Sequence, residues 1–174
     1  MISSLTLPVT LASRAGTLRL EAAVPGDLDA LMALLADDAV SASRGDVAAE
    51  GDRERYAAAL AAIQADPSNV LLLARDGGGV AVATMQLTVI PGMARRGSTR
   101  LLVEAVRVSS ERRSAGIGGE MMRWVMGPAA LACGASLVQL TSDAARVDAH
   151  RFYERLGFVG SHVGFKYHVP GGAA

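Results

Sequence analysis

The fold is decided by a glycine-rich turn, Glu111-Arg112-Arg113-Ser114-Ala115-Gly116-Ile117-Gly118-Gly119. An apolar, valine-rich run over residues 101–108 precedes this turn and predicts a strand. Apolar residues at helical spacing follow it, at Ile117, Met121, Trp124 and Val125. The first N–H groups of a helix lack partners and the helix dipole is positive there, so this position favours an anion such as a phosphate. The order strand, glycine turn and helix therefore predicts an anion-binding turn.

The composition limits the fold and the function. With 174 residues, of which 51% are hydrophobic and 20% charged, the chain is expected to form one globular domain. The 17 basic and 17 acidic residues leave no net charge, which argues against a nucleic-acid or membrane partner. Cys133 is the only cysteine and the three histidines are scattered, so no metal site is predicted. The N-terminus lacks the basic start of a signal peptide, so a cytoplasmic location is expected.

Alternation and helical spacing predict the other elements. Strands are expected over residues 17–22, 70–74, 80–89, 101–108 and 137–140, with one or two closing strands over 161–169. Helices are expected after Asp27, over residues 52–65, from about 118 to 134 with a split at Pro128, and over 146–156. Asp27 is the expected cap of the first helix, and the acidic pair Asp37-Asp38 is expected to leave its end loose. Residues 41–51 are expected to form a loop.

Hairpins precede β-α-β connections in this order, so the sheet should be mixed. The predicted fold class is α/β, a single domain with a mixed, mostly antiparallel sheet of six to seven strands flanked by about four helices. Residues 1–16 form an N-terminal extension, either loose or an added edge strand. Residues 170–174 form a frayed tail.

A second motif lies further along the chain, Asp148-Ala149-His150-Arg151-Phe152-Tyr153-Glu154-Arg155-Leu156-Gly157-Phe158. With this motif the sequence resembles the GNAT family of N-acetyltransferases. The family's acetyl-CoA motif, R-x-x-G-x-G/A, matches residues 113–118, and its motif A-x-x-F-Y-E-x-x-G-F matches residues 149–158. The resemblance covers residues 17–169, the expected N-acetyltransferase domain, in outline and is specific over 101–158.

The resemblance implies acetyl transfer from acetyl-CoA to an amine, without a metal. Backbone N–H groups of the turn would bind the pyrophosphate, where glycine permits close approach. In the family the preceding strand carries a bulge and separates from its neighbour, and pantetheine bonds to backbone groups in the gap. A backbone N–H there also polarises the thioester carbonyl. The implied cofactor-binding residues are Val106, Val108, Arg113, Ser114, Ala115, Gly116, Ile117, Gly118 and Arg146, the last standing where the family has asparagine.

Glu104 is the candidate general base. It lies in an otherwise apolar strand, on the same face as Val106 by simple alternation, and burying a carboxylate unpaired is costly. In many family members a glutamate matching this position deprotonates the substrate ammonium, often through water. The alternative is a structural carboxylate paired with Arg100 or Arg107.

Tyr153 is the candidate general acid. It matches the family tyrosine that protonates the departing CoA thiolate. The alternative is a packed aromatic residue beside Phe152, with its hydroxyl bonded to the backbone. His150 on the same helix either touches the cofactor or is a partly buried structural histidine.

The acceptor is left open by the sequence. In the family its site is lined by the first two helices, their loop (41–50) and the connection over 91–100, where Arg95, Arg96 and Arg100 favour an anionic substituent. The leading interpretation is acetyl transfer to a primary amine of a small molecule. The alternatives are a protein or peptide N-acetyltransferase and a non-catalytic acyl-CoA-binding sensor. Many relatives pair through strands or the C-terminal segment, so a homodimer through residues 163–169 is expected by analogy.

Overall fold

A computed structural model describes residues 1–38 and 49–170. The chain divides into two compact units, Met1–Leu140 and Thr141–Ala174. The predicted loop over residues 41–51 falls mostly outside the described residues. Within the described residues, no helix is both long and apolar enough to cross a membrane.

The first unit is built on a six-stranded sheet whose strands are neighbours in chain order. The strands are β1 (Val9–Ser13), β2 (Gly16–Ala22), β3 (Asn69–Arg75), β4 (Ala81–Ile90), β5 (Arg100–Val108) and β6 (Leu137–Leu140). All neighbours are antiparallel except β5 and β6, which are parallel. A parallel pair needs a crossover, and the helix after the glycine turn supplies it. The mixed, mostly antiparallel sheet is therefore confirmed.

Among the described residues, the main helices of this unit are three. They are α1 (Leu28–Ala36), α2 (Arg53–Ala65) and α3 (Ile117–Trp124). Helix α3 continues through a π-helical turn, Val125–Ala129, into a last turn at Ala130–Ala132. Pro128 lies inside the π-helical turn, where its missing N–H and its ring disrupt the regular ladder. The predicted split of this helix is confirmed.

Apolar residues on the sheet and the helices form the core. Leu31, Leu60 and Leu73 belong to one cluster that joins α1 and α2 to β3. Four consecutive residues of β4, 82–85, are buried, so this strand is covered on both faces as its apolar run predicted. A fully buried leucine side chain contributes about 2 kcal/mol of hydrophobic stabilisation, so this core holds β4 and β5 firmly in place.

Asp27 is the N-cap residue of α1, as predicted, but its side chain makes no capping hydrogen bond to that helix. One carboxylate oxygen accepts a hydrogen bond from the Val24 N–H at 2.9 Å, and the other pairs with the Arg75 guanidinium. Arg75 Nε also donates to Glu21 Oε1 at 2.7 Å. Hydrogen bonds from Arg19 and then from Arg75 hold the pKa of Glu21 below its ordinary value. Asp27 turns back because the arginine on β3 is a stronger partner than the N–H groups of the helix.

The N-terminal residues form an edge strand, one of the two predicted alternatives. Strand β1 pairs with β2 through a hairpin, with Val9 opposite Leu20 and Ser13 opposite Gly16. Short 3₁₀ turns lie outside the main elements, at Ile2–Ser4, Pro25–Asp27, Glu50–Asp52 and Ser110–Arg112. The connection from β4 to β5 carries a short turn over Ala94–Gly97.

The second unit contains helix α4 (Val147–Arg155). Gly157 ends it in the left-handed region, at φ 96°. The predicted closing strands over 161–169 are not formed. Four alternate apolar residues of that segment are each at least 70% exposed, namely Val163, Phe165, Tyr167 and Val169. Their alternation is typical of one face of a strand, but a strand also needs a backbone partner, and alternation does not supply one.

Candidate functional site

The glycine turn has the geometry of an anion-binding helix start. Gly116 precedes α3 with φ 85°, a left-handed conformation that glycine adopts without strain. Glu120 donates the first helical hydrogen bond to the Gly116 carbonyl at 3.1 Å. The N–H groups of residues 117–119 come before this bond, so they have no partner within the helix and lie at its positive end.

Arg113 links the turn to two other elements. Its N–H donates to the Ser110 carbonyl at 3.4 Å inside the preceding 3₁₀ turn. Its guanidinium donates to the carbonyl of Asp37 at 2.6 Å and to that of Val108 at 3.3 Å. The Arg113 N–H is thus used within the chain, and the N–H groups that fit an anion best start after it.

Asp37 fastens the end of α1 to the turn. Its carboxylate accepts a hydrogen bond from the Ser110 N–H at 2.6 Å, and this bond holds the pKa of Asp37 below its ordinary value. The expectation of a loose helix end is therefore wrong, because it considered only the dipole of α1 and not a donor from elsewhere. The two residues are 73 positions apart, and no pattern in the sequence connects them.

Arg14 is a second residue at the turn that the sequence did not single out. The β1–β2 hairpin carries it there, and a Cβ added to Gly116 would lie 3.5 Å from Arg14 Nε. Its side chain is exposed. The only signal in the sequence is the weak alternation of residues 9–13. It indicates a strand of the hairpin but does not indicate that the hairpin lies beside the glycine turn.

Strand β5 contains a β-bulge beside the site. Thr84 pairs with Arg107 and Gln86 with Glu104, so two residues of β5 face the single residue Met85 of β4. Ala105 within the bulge has φ 51°, outside the strand region. Strand β6 pairs with β5 only from Arg100 to Val103, so β5 runs on from 104 to 108 without it. The bulge and the separation of neighbouring strands are the features that the resemblance implied.

The bulge changes which residues of β5 share a face with Glu104. Paired residues of an antiparallel ladder share a face, so Glu104 lies with Gln86 and Arg107 with Thr84, all on one side. Simple alternation, on which the shared face of Glu104 and Val106 was predicted, does not hold through the bulge, because the extra residue resets it. Glu104 is also exposed and not buried, so the cost of burial does not constrain it.

The two arginines predicted as alternative partners of Glu104 donate elsewhere. Arg100 Nη1 donates to Gln139 Oε1 at 3.1 Å. Arg107 Nη1 donates to the Val106 carbonyl at 2.8 Å. The Val106 and Val108 carbonyls therefore each accept one arginine hydrogen bond, and the second lone pair of each can accept another.

A cavity of about 180 Å³ lies between α1, α2 and the sheet. It is lined by Leu28, Leu31, Met32, Leu35, Tyr56, Ala59, Leu60, Ile63, Leu71, Thr84, Gln86 and Ala105. The two helices were predicted to line the acceptor site, whereas no residue of the connection over 91–100 lines this cavity. Arg95 and Arg96 of that connection are exposed and lie in the left-handed region.

The second unit carries the other two predicted site residues. Arg146 directly precedes α4, and its N–H donates to the Asp143 carbonyl at 2.9 Å. Tyr153 is half-buried, with edge-on ring contacts to Phe152 at 5.1 Å and Phe158 at 5.8 Å between centroids. His150 Nε2 bonds to the same Asp143 carbonyl at 2.8 Å, which matches the structural alternative for this histidine.

Among the described residues, no group of three or more histidine, cysteine, aspartate or glutamate residues could hold a metal ion. Burial raises the pKa of the Cys133 thiol, as expected for a small core residue. Trp124 is likewise buried in the core.

Solved structures resemble this chain over most of its length. A transcriptional regulator from Bacillus halodurans C-125 is 36% identical, with a TM-score of 0.81 over 87% of this chain and 99% of that chain. An acetyltransferase from Trypanosoma brucei is 22% identical, with a TM-score of 0.67 over 87% and 99%. Glucosamine-6-phosphate N-acetyltransferase from Arabidopsis thaliana is 17% identical, with a TM-score of 0.68 over 87% and 97%. The last two similarities concern the fold alone.

No curated protein matches the sequence. The sequence profile of the Acetyltransferase (GNAT) family matches residues 29–158, which span both motifs and most of the chain. Together with the bulged strand, the glycine turn and the mixed sheet, this match establishes that the chain belongs to the GNAT acetyltransferase family.

Proposed function

We propose that the protein is an acetyl-CoA-dependent N-acetyltransferase that acts by direct transfer on a primary amine of a small molecule. One observation carries this proposal: a single strand, β5, joins an exposed carboxylate at a bulge to a glycine turn suited to a diphosphate. The donor and the proton acceptor can therefore be held by one rigid element.

The turn and its neighbours would hold the donor. The N–H groups of residues 117–119 would bind the pyrophosphate, and the Arg14 guanidinium would balance part of its charge. The backbone of Val106 and Val108 would bond to the pantetheine amides. A backbone N–H at the bulge would polarise the thioester carbonyl and stabilise the negative charge that develops on it.

Glu104 and Tyr153 would move the protons. Glu104 takes a proton from the substrate ammonium, directly or through a water molecule, and so frees the nitrogen lone pair. That lone pair forms the new C–N bond to the acetyl carbon while the C–S bond to CoA breaks. Tyr153 protonates the leaving thiolate. The nitrogen then loses its second proton, which restores the Tyr153 phenol through solvent. The products are the acetylated amine, CoA and the one proton held by Glu104, which passes to solvent.

The first prediction concerns these two side chains. Glu104→Gln and Tyr153→Phe should each lower kcat by about tenfold or more, because each removes one proton transfer. Neither should change the Kd for acetyl-CoA, since neither side chain is proposed to bind it. Thiol release with a panel of amines measures kcat, and calorimetry measures the Kd.

An unchanged kcat in either variant would remove that residue from the mechanism. A thermal unfolding scan serves as the control, because a shared drop in Tm would indicate a folding defect. Acetylation of peptide amines alone would move the proposal to the protein or peptide acetyltransferases.

A second candidate is a non-catalytic acyl-CoA-binding sensor. The 36% identical chain from Bacillus halodurans is described as a transcriptional regulator, which favours this candidate. Acetyl-CoA binding by calorimetry, with no thiol release on any small amine or peptide, would support the sensor over the enzyme.

A further inference from the structure

The cavity between α1, α2 and the sheet has a lining that selects for one class of acceptor. We propose that it binds an uncharged, apolar group of the acceptor amine, of about the size of a phenyl ring or a short branched alkyl chain. This inference rests on the proposed function, because it assigns the acceptor of that same reaction.

The lining offers little to a charged or strongly hydrated group. Of the twelve lining residues within the described ranges 1–38 and 49–170, nine are aliphatic or methionine and none is charged. The Thr84 hydroxyl already donates to the Leu72 carbonyl at 2.8 Å, and the Gln86 amide donates to Asn69 Oδ1 at 3.0 Å. A charged group entering the cavity would lose its hydration and would meet no opposite charge among the described lining residues, which is costly.

The position of the cavity ties it to the reaction. Ala105, the left-handed residue of the bulge, lines it and directly follows Glu104. Gln86 also lines it and is the ladder partner of Glu104. An apolar group in the cavity would thus leave its amine beside the proposed base. On α2, Ala59 is exposed and Tyr56 half-buried, so the cavity is reachable from solvent.

The size of the cavity limits the group. A dry apolar cavity of about 150 Å³ holds benzene, and this cavity of about 180 Å³ is slightly larger. Within the described residues the lining offers an anionic acceptor no cation, since the exposed arginines Arg95 and Arg96 do not line the cavity.

The first experiment compares acceptors. Phenethylamine and isopentylamine should show kcat/KM at least about tenfold above ethanolamine and glucosamine 6-phosphate, as expected from burying a ring or a branched chain. Equal or reversed preference would overturn the inference while leaving the acetyltransferase proposal intact.

The second experiment fills the cavity at its exposed edge. Ala59→Leu should raise KM for phenethylamine about fivefold or more, because the added methyl groups occupy the space of the ring. The KM for acetyl-CoA should not change. Ala58→Leu is the matched control, since Ala58 lies on the same helix, is exposed and does not line the cavity. Equal effects of the two substitutions on phenethylamine would overturn the inference.

A binding measurement separates this inference from the proposed function. A ligand that binds only the folded protein stabilises it, so toluene should raise the Tm of the wild type and of Ala58→Leu. The increase should be smaller for Ala59→Leu, because the leucine fills part of the cavity. Toluene binding with no acetylation of any amine would contradict the proposed function. Acetylation of amines with no toluene effect on Tm would contradict the cavity as the acceptor site.

Discussion

Arg14 lies at the glycine turn although nearly a hundred residues of sequence separate the two. Its Nε would be 3.5 Å from a Cβ at Gly116, and it extends from the tight hairpin between β1 and β2. An exposed cation at the positive end of α3 has no role in stabilising that helix, since it opposes the dipole. A negatively charged ligand bound between Arg14 and the start of α3 would be attracted by both, so the two positive groups would then favour binding.

Arg14→Gln should therefore weaken CoA binding about fivefold, which corresponds to about 1 kcal/mol for an exposed ion pair. The Kd for pantetheine, which carries no phosphate, should stay the same. Calorimetry at low and high salt measures both, and salt should reduce the difference for CoA. Arg95→Gln is the control for a lost surface charge, and an equal loss in that variant would contradict a local role for Arg14.

The residues of the candidate site differ in how far the sequence could predict them. Gly116 and its neighbours belong to a contiguous motif, so local chemistry was sufficient to identify the turn. Asp37 and Arg14 reach the turn through contacts between distant segments, which no local pattern encodes. The residues that share a face with Glu104 could not be read from a period of two, because one inserted residue in β5 resets that period after Glu104.

At the level of elements, the link between α1 and the glycine turn is the least expected feature. Asp37 accepts the Ser110 N–H, and Arg113 donates to the Asp37 carbonyl. The helix that lines the apolar cavity and the turn proposed for the donor are thus hydrogen-bonded to each other. A shift of α1 would be transmitted to the 3₁₀ turn at Ser110–Arg112.

This link should depend on pH. The pKa of Asp37 is lowered in the folded protein, chiefly by the Ser110 hydrogen bond, so the stabilisation is present above the ordinary aspartate pKa of about 4. It is lost as the pH falls through the lowered value. Asp37→Asn should reduce the free energy of unfolding by about 1 kcal/mol at neutral pH, and urea titrations should show the difference shrinking in acid.

The control for this prediction is Glu111→Gln, which removes an exposed carboxylate from the same 3₁₀ turn. A difference between Asp37→Asn and the wild type that persists unchanged at low pH would contradict the assignment to the charged hydrogen bond.

The strands and helices were predicted well where a segment carries its own periodic pattern, as in β4, β5, α2 and α4. The split of α3 could be predicted from Pro128 alone, because proline lacks the N–H of a regular helix and its ring clashes with the preceding turn. The closing strands over 161–169 were predicted wrongly. The alternation of their residues concerns this segment alone and does not show whether a free sheet edge is available to pair with it. The sequence left undecided whether residues 1–16 form a loose extension or the edge strand β1, because the pattern of that segment does not show whether a neighbouring strand is available.

At the scale of the whole molecule, one charged cluster ties β2, β3 and the start of α1 together. Arg75 bonds to Glu21 Oε1 at 2.7 Å and to the buried Asp27. Asp27 in turn holds the Val24 N–H, which fixes where the chain leaves the sheet to enter α1. The cluster therefore sets the direction of a helix that lines the proposed acceptor cavity.

Arg75→Met should lower the free energy of unfolding by about 2–3 kcal/mol, because it leaves the buried Asp27 carboxylate without its cation. Urea unfolding measures the loss. Arg19→Met is the matched control: Arg19 also bonds to Glu21, but its side chain is 60% exposed. It should therefore cost about 0.5 kcal/mol or less. Similar losses in the two variants would contradict a special role for the buried carboxylate.

Ala105 holds a conformation that an ordinary side chain resists. A left-handed backbone costs an L-residue about 1–2 kcal/mol relative to the right-handed one, and the long ladders on either side keep it in place. Selection for thermal stability alone would favour a regular strand with no bulge. The regular strand would place its hydrogen-bonding groups and its carboxylate differently and would remove the arrangement proposed for catalysis. Heat resistance and turnover thus make opposite demands on this one alanine.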